Sequence, residues 1–184
     1  MLRDEVLMIK KAKEFAAKAH AGQFRKGTDR PYVEHVFAVG DILENAGYPE
    51  EVVVAGILHD VVEDTDCTYE DIEKEFGKAV ADIVDGVSEV KGGPWKERKI
   101  NYIAHLTDEN TPFESVIVSA ADKFHNLTDT YEEWLGIGDA VFAKFNAKKE
   151  SQSWWYRNMS KIFREKGLID VADCIDKMLV DMGM

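Results

Sequence analysis

Apolar residues recur at helical spacing along almost the whole chain. Over residues ~4–20, Val6, Ile9, Ala12, Phe15, Ala16 and Ala19 share one face, and Gly22 ends the run. Pro31 suits the first turn of a second helix, which runs to about Ala46 and stops at Gly47. Pro49 opens a third helix, ~50–62, through the unbroken apolar run Val52–Ile57. Thr68 with Asp71 three residues on predicts a capped start for a short helix that ends at Phe76-Gly77. Another helix follows over ~78–90, through Val80, Ile83, Val84 and Val87, before the break Lys91-Gly92-Gly93-Pro94. A polar helix with Lys96, Arg98 and Lys99 then runs to about Leu106. Thr111-Pro112-Phe113-Glu114 supplies a cap, a proline at the first position and a glutamate at the third. The helix it opens carries Val116–Ala121 and extends to Trp134. Helices over ~139–147, ~148–165 and ~168–181 complete the pattern.

No segment calls for a strand, so the expected fold is an all-α bundle of about 9–10 helices. The chain of 184 residues suits a single domain (1–184), with the helices after Gly138 as a cap on the same core. There is no internal repeat and no domain-sized linker.

Composition narrows the function. A net charge of −12 argues against a nucleic acid as the main partner, but not against a small phosphorylated ligand. The two cysteines, Cys67 and Cys174, form no CxxC pair and fit a reducing compartment. No apolar run approaches the roughly 18–20 residues that span a membrane. The N-terminal residues carry no signal-peptide core, so the expected location is the cytoplasm, away from membranes.

The chemistry is concentrated in Leu58-His59-Asp60-Val61-Val62-Glu63-Asp64-Thr65. On a helix His59 lies one turn below Glu63, and Asp60 one turn below Asp64. An imidazole and three carboxylates at the end of a buried apolar helix need a compensating charge, and a divalent metal supplies one. Two other residues interrupt apolar helix faces: His35 in Tyr32–Val39, and Asp122 after Val116–Ala121. Two imidazoles and two carboxylates suit a borderline-to-hard ion such as Mn²⁺, Fe²⁺ or Zn²⁺. Taken singly, His35 is as readily a hydrogen-bonded core histidine and Asp122 an ion-pair partner. Together, on different helices, the four make a site. Glu63 and Asp64 then stand one turn beyond, able to act on water or on a leaving group.

Other motifs weigh less. Asp64-x-Asp66-x-Thr68 with Glu75 imitates a calcium loop, but Tyr69 stands where that loop requires glycine. Of the basic residues, Arg25, Lys26 and Lys123 sit where they could line a phosphate-binding mouth, while Arg30, Lys96, Arg98 and Lys99 read as surface charge. Trp154-Trp155-Tyr156 reads as core for at least one tryptophan, with Tyr156 left open. The chain has no P-loop, dinucleotide fingerprint, HExxH or GxSxG motif.

The order His35, His59-Asp60, Asp122 resembles the HD superfamily of metal-dependent phosphohydrolases. More closely, five ordered stretches resemble the hydrolase domain of the RelA/SpoT family, including its small stand-alone members. They are Ala19–Lys26, Pro31–His35, Leu58–Thr65, Phe76-Gly77 with Val84-x-Gly86-Val87-Ser88, and Ala121–Leu127. The resemblance covers about residues 10–165, leaving 166–184 as a C-terminal helix. It implies an all-α HD domain in which His35, His59, Asp60 and Asp122 hold one metal, typically Mn²⁺. Glu63 and Asp64 would be the catalytic pair. Arg25 and Lys26 would contact substrate phosphates, with Lys123 beside them, Asn126 the ribose, and Tyr156 the nucleotide pocket. The implied reaction removes pyrophosphate from the 3′ position of guanosine 3′,5′-bis(diphosphate). Thr128 stands where the family often carries an arginine, and the Lys26–Pro31 loop varies in length among members. Both positions lie near the expected pocket, which keeps open another nucleotide or phosphorylated metabolite, or a non-catalytic nucleotide sensor.

Overall fold

The apolar run becomes α3 (Glu50–Leu58), in which Val52 to Leu58 are all buried. Such a helix has no polar face because it is surrounded. It packs against α1 (Leu2–Ala19), α2 (Val33–Asn45), α6 (Lys78–Val87) and α8 (Phe113–Ile137). The computed structural model describes residues 2–184, with side chains from Leu7 onward. Met1 and the side chain of Val6 lie outside the described residues. Among the described residues there is no strand, only an isolated bridge between Phe24 and Pro31 that pins the basic loop.

The crossing of α2 and α3 brings two histidines together. A Cβ on Gly40 would lie 2.5 Å from Ile57 Cγ1, and one on Gly56 would lie 2.3 Å from Leu43 Cδ1. Glycine at these two places lets the helices approach closely, which sets His35 beside the end of α3.

Several boundaries differ from the sequence expectation, each for a local reason. The third helix does not run on to residue 62. It stops at Leu58, and α4 (Val61–Asp64) starts after His59 and Asp60. The Gly56 carbonyl accepts a hydrogen bond from His59 Nδ1 at 2.8 Å, and Asp60 turns to φ −93°, ψ −6° there. α5 (Tyr69–Phe76) carries the expected box, with Thr68 and Asp71 capping each other, and its helical start rules out the calcium loop. α6 stops at Val87 rather than near residue 90. Ser88 Oγ donates to the Val84 carbonyl, and the next amide, Glu89 N–H, leaves the helix to donate to Glu63 Oε1 at 2.6 Å.

α7 (Trp95–Thr107) leads to a turn in which Thr111 Oγ1 donates to the His105 carbonyl. Thr111 therefore ties off α7 and does not cap α8, whose N-cap is Pro112. α8 runs on to Ile137, and the expected helix over 139–147 is a 3₁₀ segment, Gly138–Lys144, that buries Val141 and Phe142. α9 (Lys149–Glu165) and α10 (Ile169–Asp181) follow.

Two apolar clusters result. The first gathers α1 to α6 and one face of α8. The second, around Met159, Phe163, Ile175 and Leu179, gathers α7, α9, α10 and the opposite face of α8. The last helices thus build their own cluster rather than extending the first. α8 belongs to both, and its middle turns carry Asp122 to Asp129 along the seam.

Candidate active site

His35, on α2, and His59, after α3, are both buried, with ring centroids 5.3 Å apart. Each directs Nε2 at the same two carboxylates. His59 Nε2 lies 3.0 Å from Asp60 Oδ2 and 3.6 Å from Asp122 Oδ1, and His35 Nε2 lies 3.5 and 3.2 Å from the same atoms. Neither Nε2 makes a hydrogen bond of acceptable geometry. The ligand atoms of His35, His59 and Asp60 fall within 4.8 Å of one another, a group that could hold a metal ion. Asp122 enters from α8 on the same side.

The donor set fits a divalent cation for a further reason. His59 Nδ1 faces a carbonyl, which only accepts, so Nδ1 carries a proton and Nε2 is left for a ligand. Burial opposes the charged form of His59, but Asp60 and Asp122 outweigh it and push the imidazole up. Burial likewise opposes ionisation of Asp60, and the two histidines still hold it well below the usual carboxylate range. Asp122 behaves the same way under Lys123, His35 and His59.

A ring of hydrogen bonds orients these groups. Tyr32 O–H donates to Asp60 Oδ2 at 2.6 Å. Burial and the Asp60 charge hold its phenol far above the ordinary range, so it remains a donor. Asn126 donates to Asp122 Oδ1, and Lys123 pairs with Asp122 Oδ2. His35 Nδ1 meets His125 Nδ1 at 2.9 Å. Burial and the neighbouring His35 pull His125 down to about 4, so it is neutral at pH 7.

A cavity of about 170 Å³ opens over this cluster, lined by Glu63, Asp64, Glu89, Lys99, Tyr102 and Lys123 with the residues above. Burial first, and then the Asp60 charge, push Glu63 up to about 7. The same two causes raise Asp64. Lys99, held by Glu89, is pulled down by burial and by Lys123. A second cavity, of about 190 Å³, adjoins the first through Tyr32 and Asn126. Arg25, Lys26, Arg30 and Lys144 give it cationic walls, and Tyr32, Phe145 and Tyr156 aromatic ones. Arg25 lines this second cavity, donating to Asn126 Oδ1 at 2.8 Å and to Asp129 Oδ2 at 3.0 Å.

All eleven residues singled out from the sequence therefore converge on two adjoining cavities or the cluster beneath them. Lys123 arrives with its charge already engaged by Asp122. Trp155 is core, as expected for at least one tryptophan, and Tyr156 lines the second cavity. Thr128 is a correction. Its hydroxyl donates to the Phe124 carbonyl and faces Met178 of α10, and it lines neither cavity. The sequence also set aside Arg30 and Lys99 as surface charge, and overlooked Tyr32, Glu89, Tyr102 and His125. Lys99 precedes buried Tyr102 and Leu106 by three and seven residues, and His125 follows Asp122 by three, spacings that place each on an inward helix face.

A profile of the HD domain matches residues 12–150. The chain belongs to the HD-domain family. Among curated proteins, this HD chain is 39% identical over 127 residues to the guanosine-3′,5′-bis(diphosphate) 3′-pyrophosphohydrolase MESH1 of Danio rerio, covering 65% of this chain and 69% of that protein. With MESH1 of Xenopus tropicalis it shares 37% over 143 residues, covering 72% and 77%. It is 34% identical over 128 residues to the bifunctional (p)ppGpp synthase/hydrolase SpoT of Escherichia coli K12, and the match spans only 18% of that longer protein. Among solved structures, a metazoan SpoT ortholog described as hydrolysing ppGpp superposes with a TM-score of 0.77 at 29% identity, covering 96% of each chain. The lmo0812 protein of Listeria monocytogenes superposes with a TM-score of 0.73 at 31% identity, covering 82% of this chain and 99% of that one. The all-α fold expected from the sequence is the fold of these HD proteins. Among the described residues no helix is long and apolar enough to cross a membrane.

Proposed function

We propose that this HD chain hydrolyses guanosine 3′,5′-bis(diphosphate) to GDP and pyrophosphate, as a metal-dependent 3′-pyrophosphohydrolase. One observation carries the reading: two buried imidazoles with unpartnered Nε2 atoms face two carboxylates, directly beside a cationic, aromatic cavity of nucleotide character. The relatives named for this activity support it.

His35, His59, Asp60 and Asp122 would hold one divalent ion, and their mixed nitrogen and oxygen donors suit Mn²⁺. When bound, that ion supplies Lewis acidity toward a phosphoryl oxygen and toward the attacking water. Glu63, already raised toward neutrality, takes the proton of that water as it attacks the 3′-linked phosphorus. The bond from phosphorus to O3′ breaks, and Asp64, also raised, returns a proton to the leaving oxygen. Lys123 and Lys99 offset charge on the phosphoryl oxygens. In the adjoining cavity Arg25 and Lys26 hold phosphate, Asn126 meets the ribose, and Tyr156 borders the base. The whole of residues 1–184 works as one hydrolase domain on a small nucleotide in the cytoplasm.

The test is product analysis. Protein loaded with Mn²⁺ is expected to release pyrophosphate and GDP from guanosine 3′,5′-bis(diphosphate) and to act more slowly on ordinary nucleotides. No pyrophosphate release, or faster turnover of an ordinary nucleotide, would overturn the assignment.

A further inference from the structure

We infer that His125 is a positioning residue: it accepts the Nδ1–H of His35 and so fixes the tautomer that leaves His35 Nε2 bare for the metal. This rests on the metal reading above.

Two imidazole Nδ1 atoms 2.9 Å apart share one proton. If His125 were the donor, neutral His35 would carry its proton on Nε2. That N–H would point at Asp122 Oδ1 and Asp60 Oδ2, where the cation belongs, and would occupy the lone pair that the cation needs. With His35 as donor, Nε2 keeps that lone pair. His35 then matches His59, whose Nδ1–H is fixed by the Gly56 carbonyl at 2.8 Å. The two metal-facing imidazoles are thus held in one tautomer by different acceptors.

His125 suits the role by its place. It sits on α8 one turn after Asp122, with its ring 4.9 Å from that of His35. It lines neither cavity, so it is not placed to touch substrate. The nearest anion, Asp129 Oδ2, lies 3.9 Å from His125 Nδ1 and is engaged by Arg25 at 3.0 Å. A neutral nitrogen acceptor orients His35 without adding charge to a cluster that already holds two carboxylates.

The experiment uses the full chain labelled with ¹⁵N-histidine and loaded with Zn²⁺, with long-range ¹H–¹⁵N spectra to read each ring. The expected pattern is a protonated Nδ1 on His35, and on His125 a bare Nδ1 and a protonated Nε2. In parallel, Mn²⁺ binding is followed by the electron paramagnetic resonance of the free ion. His125→Leu is expected to weaken binding by about 10–100-fold. His125→Asn, whose Oδ1 takes the place of Nδ1, should restore most of it, which a merely structural role would not predict. A protonated Nδ1 on His125, or undiminished Mn²⁺ affinity in His125→Leu, overturns the assignment. The wild-type spectrum decides the matter even if a variant fails to fold. A wild-type protein that takes up neither ion overturns the metal reading, and this assignment with it.

Discussion

His59 donates its Nδ1–H to the carbonyl of Gly56, three residues earlier, at 2.8 Å. That bond lies where the helix ends after Leu58, and it aims Nε2 at Asp60 and Asp122. The end of this buried helix thus places His59 and Asp60 in the candidate site.

Asp60 Oδ2 is the oxygen that both imidazoles and the Tyr32 hydroxyl share. Asp60→Ala is expected to abolish Mn²⁺ retention and lower hydrolysis by at least about 10³-fold, because the several kcal/mol that the metal contributes go with it. Metal content after gel filtration and a pyrophosphate-release assay check it. Unchanged hydrolysis would refute the site.

Glu63 sits at about 7 in the metal-free protein, against an ordinary 4.5. Between those values the folded state binds the proton that the unfolded chain has released, so stability falls as pH rises through this window and stays lowered above it. Glu63→Gln removes that penalty. Metal-free Glu63→Gln should be more stable than wild type by about 1–3 kcal/mol at pH 8 and should gain nothing at pH 4. Urea denaturation at the two pH values tests this. The same variant is expected to lose about 10²–10⁴-fold in hydrolysis.

Arg25 lines the second cavity and donates to Asn126 and Asp129. Because it lies away from the histidine cluster, Arg25→Ala should raise KM by about 10–100-fold, the worth of one or two charge-assisted hydrogen bonds, while Mn²⁺ binding is retained. Steady-state kinetics beside a metal titration separate the two effects. Loss of Mn²⁺ binding would show that the cavities are not independent.

Thr128 bonds within its own helix and faces Met178. Thr128→Ala should leave kcat and KM within about twofold and cost under about 1 kcal/mol of stability. A large change in substrate preference would mean that this position reaches the nucleotide after all.

The sequence by itself determined most of the helices and the eleven candidate residues that the fold brings together. Helical periodicity depends only on neighbours along the chain, so it marked nearly every helix, and the Thr68–Asp71 box appeared as expected. His35, His59, Asp60 and Asp122 stood out because a polar side chain on an apolar face needs a reason wherever it occurs. Tertiary structure alone decided the rest. Glu89 enters the cavity because α6 stops at Val87, and Lys99 because α7 packs beside α9. Thr128 turns away because α10 covers its face of α8. His125 matters only because α2 brings His35 within 2.9 Å of it. A surface cation, a site cation and a buried acceptor look alike along a sequence. What separates them is which distant helix lies opposite, and that is set by packing between segments many residues apart.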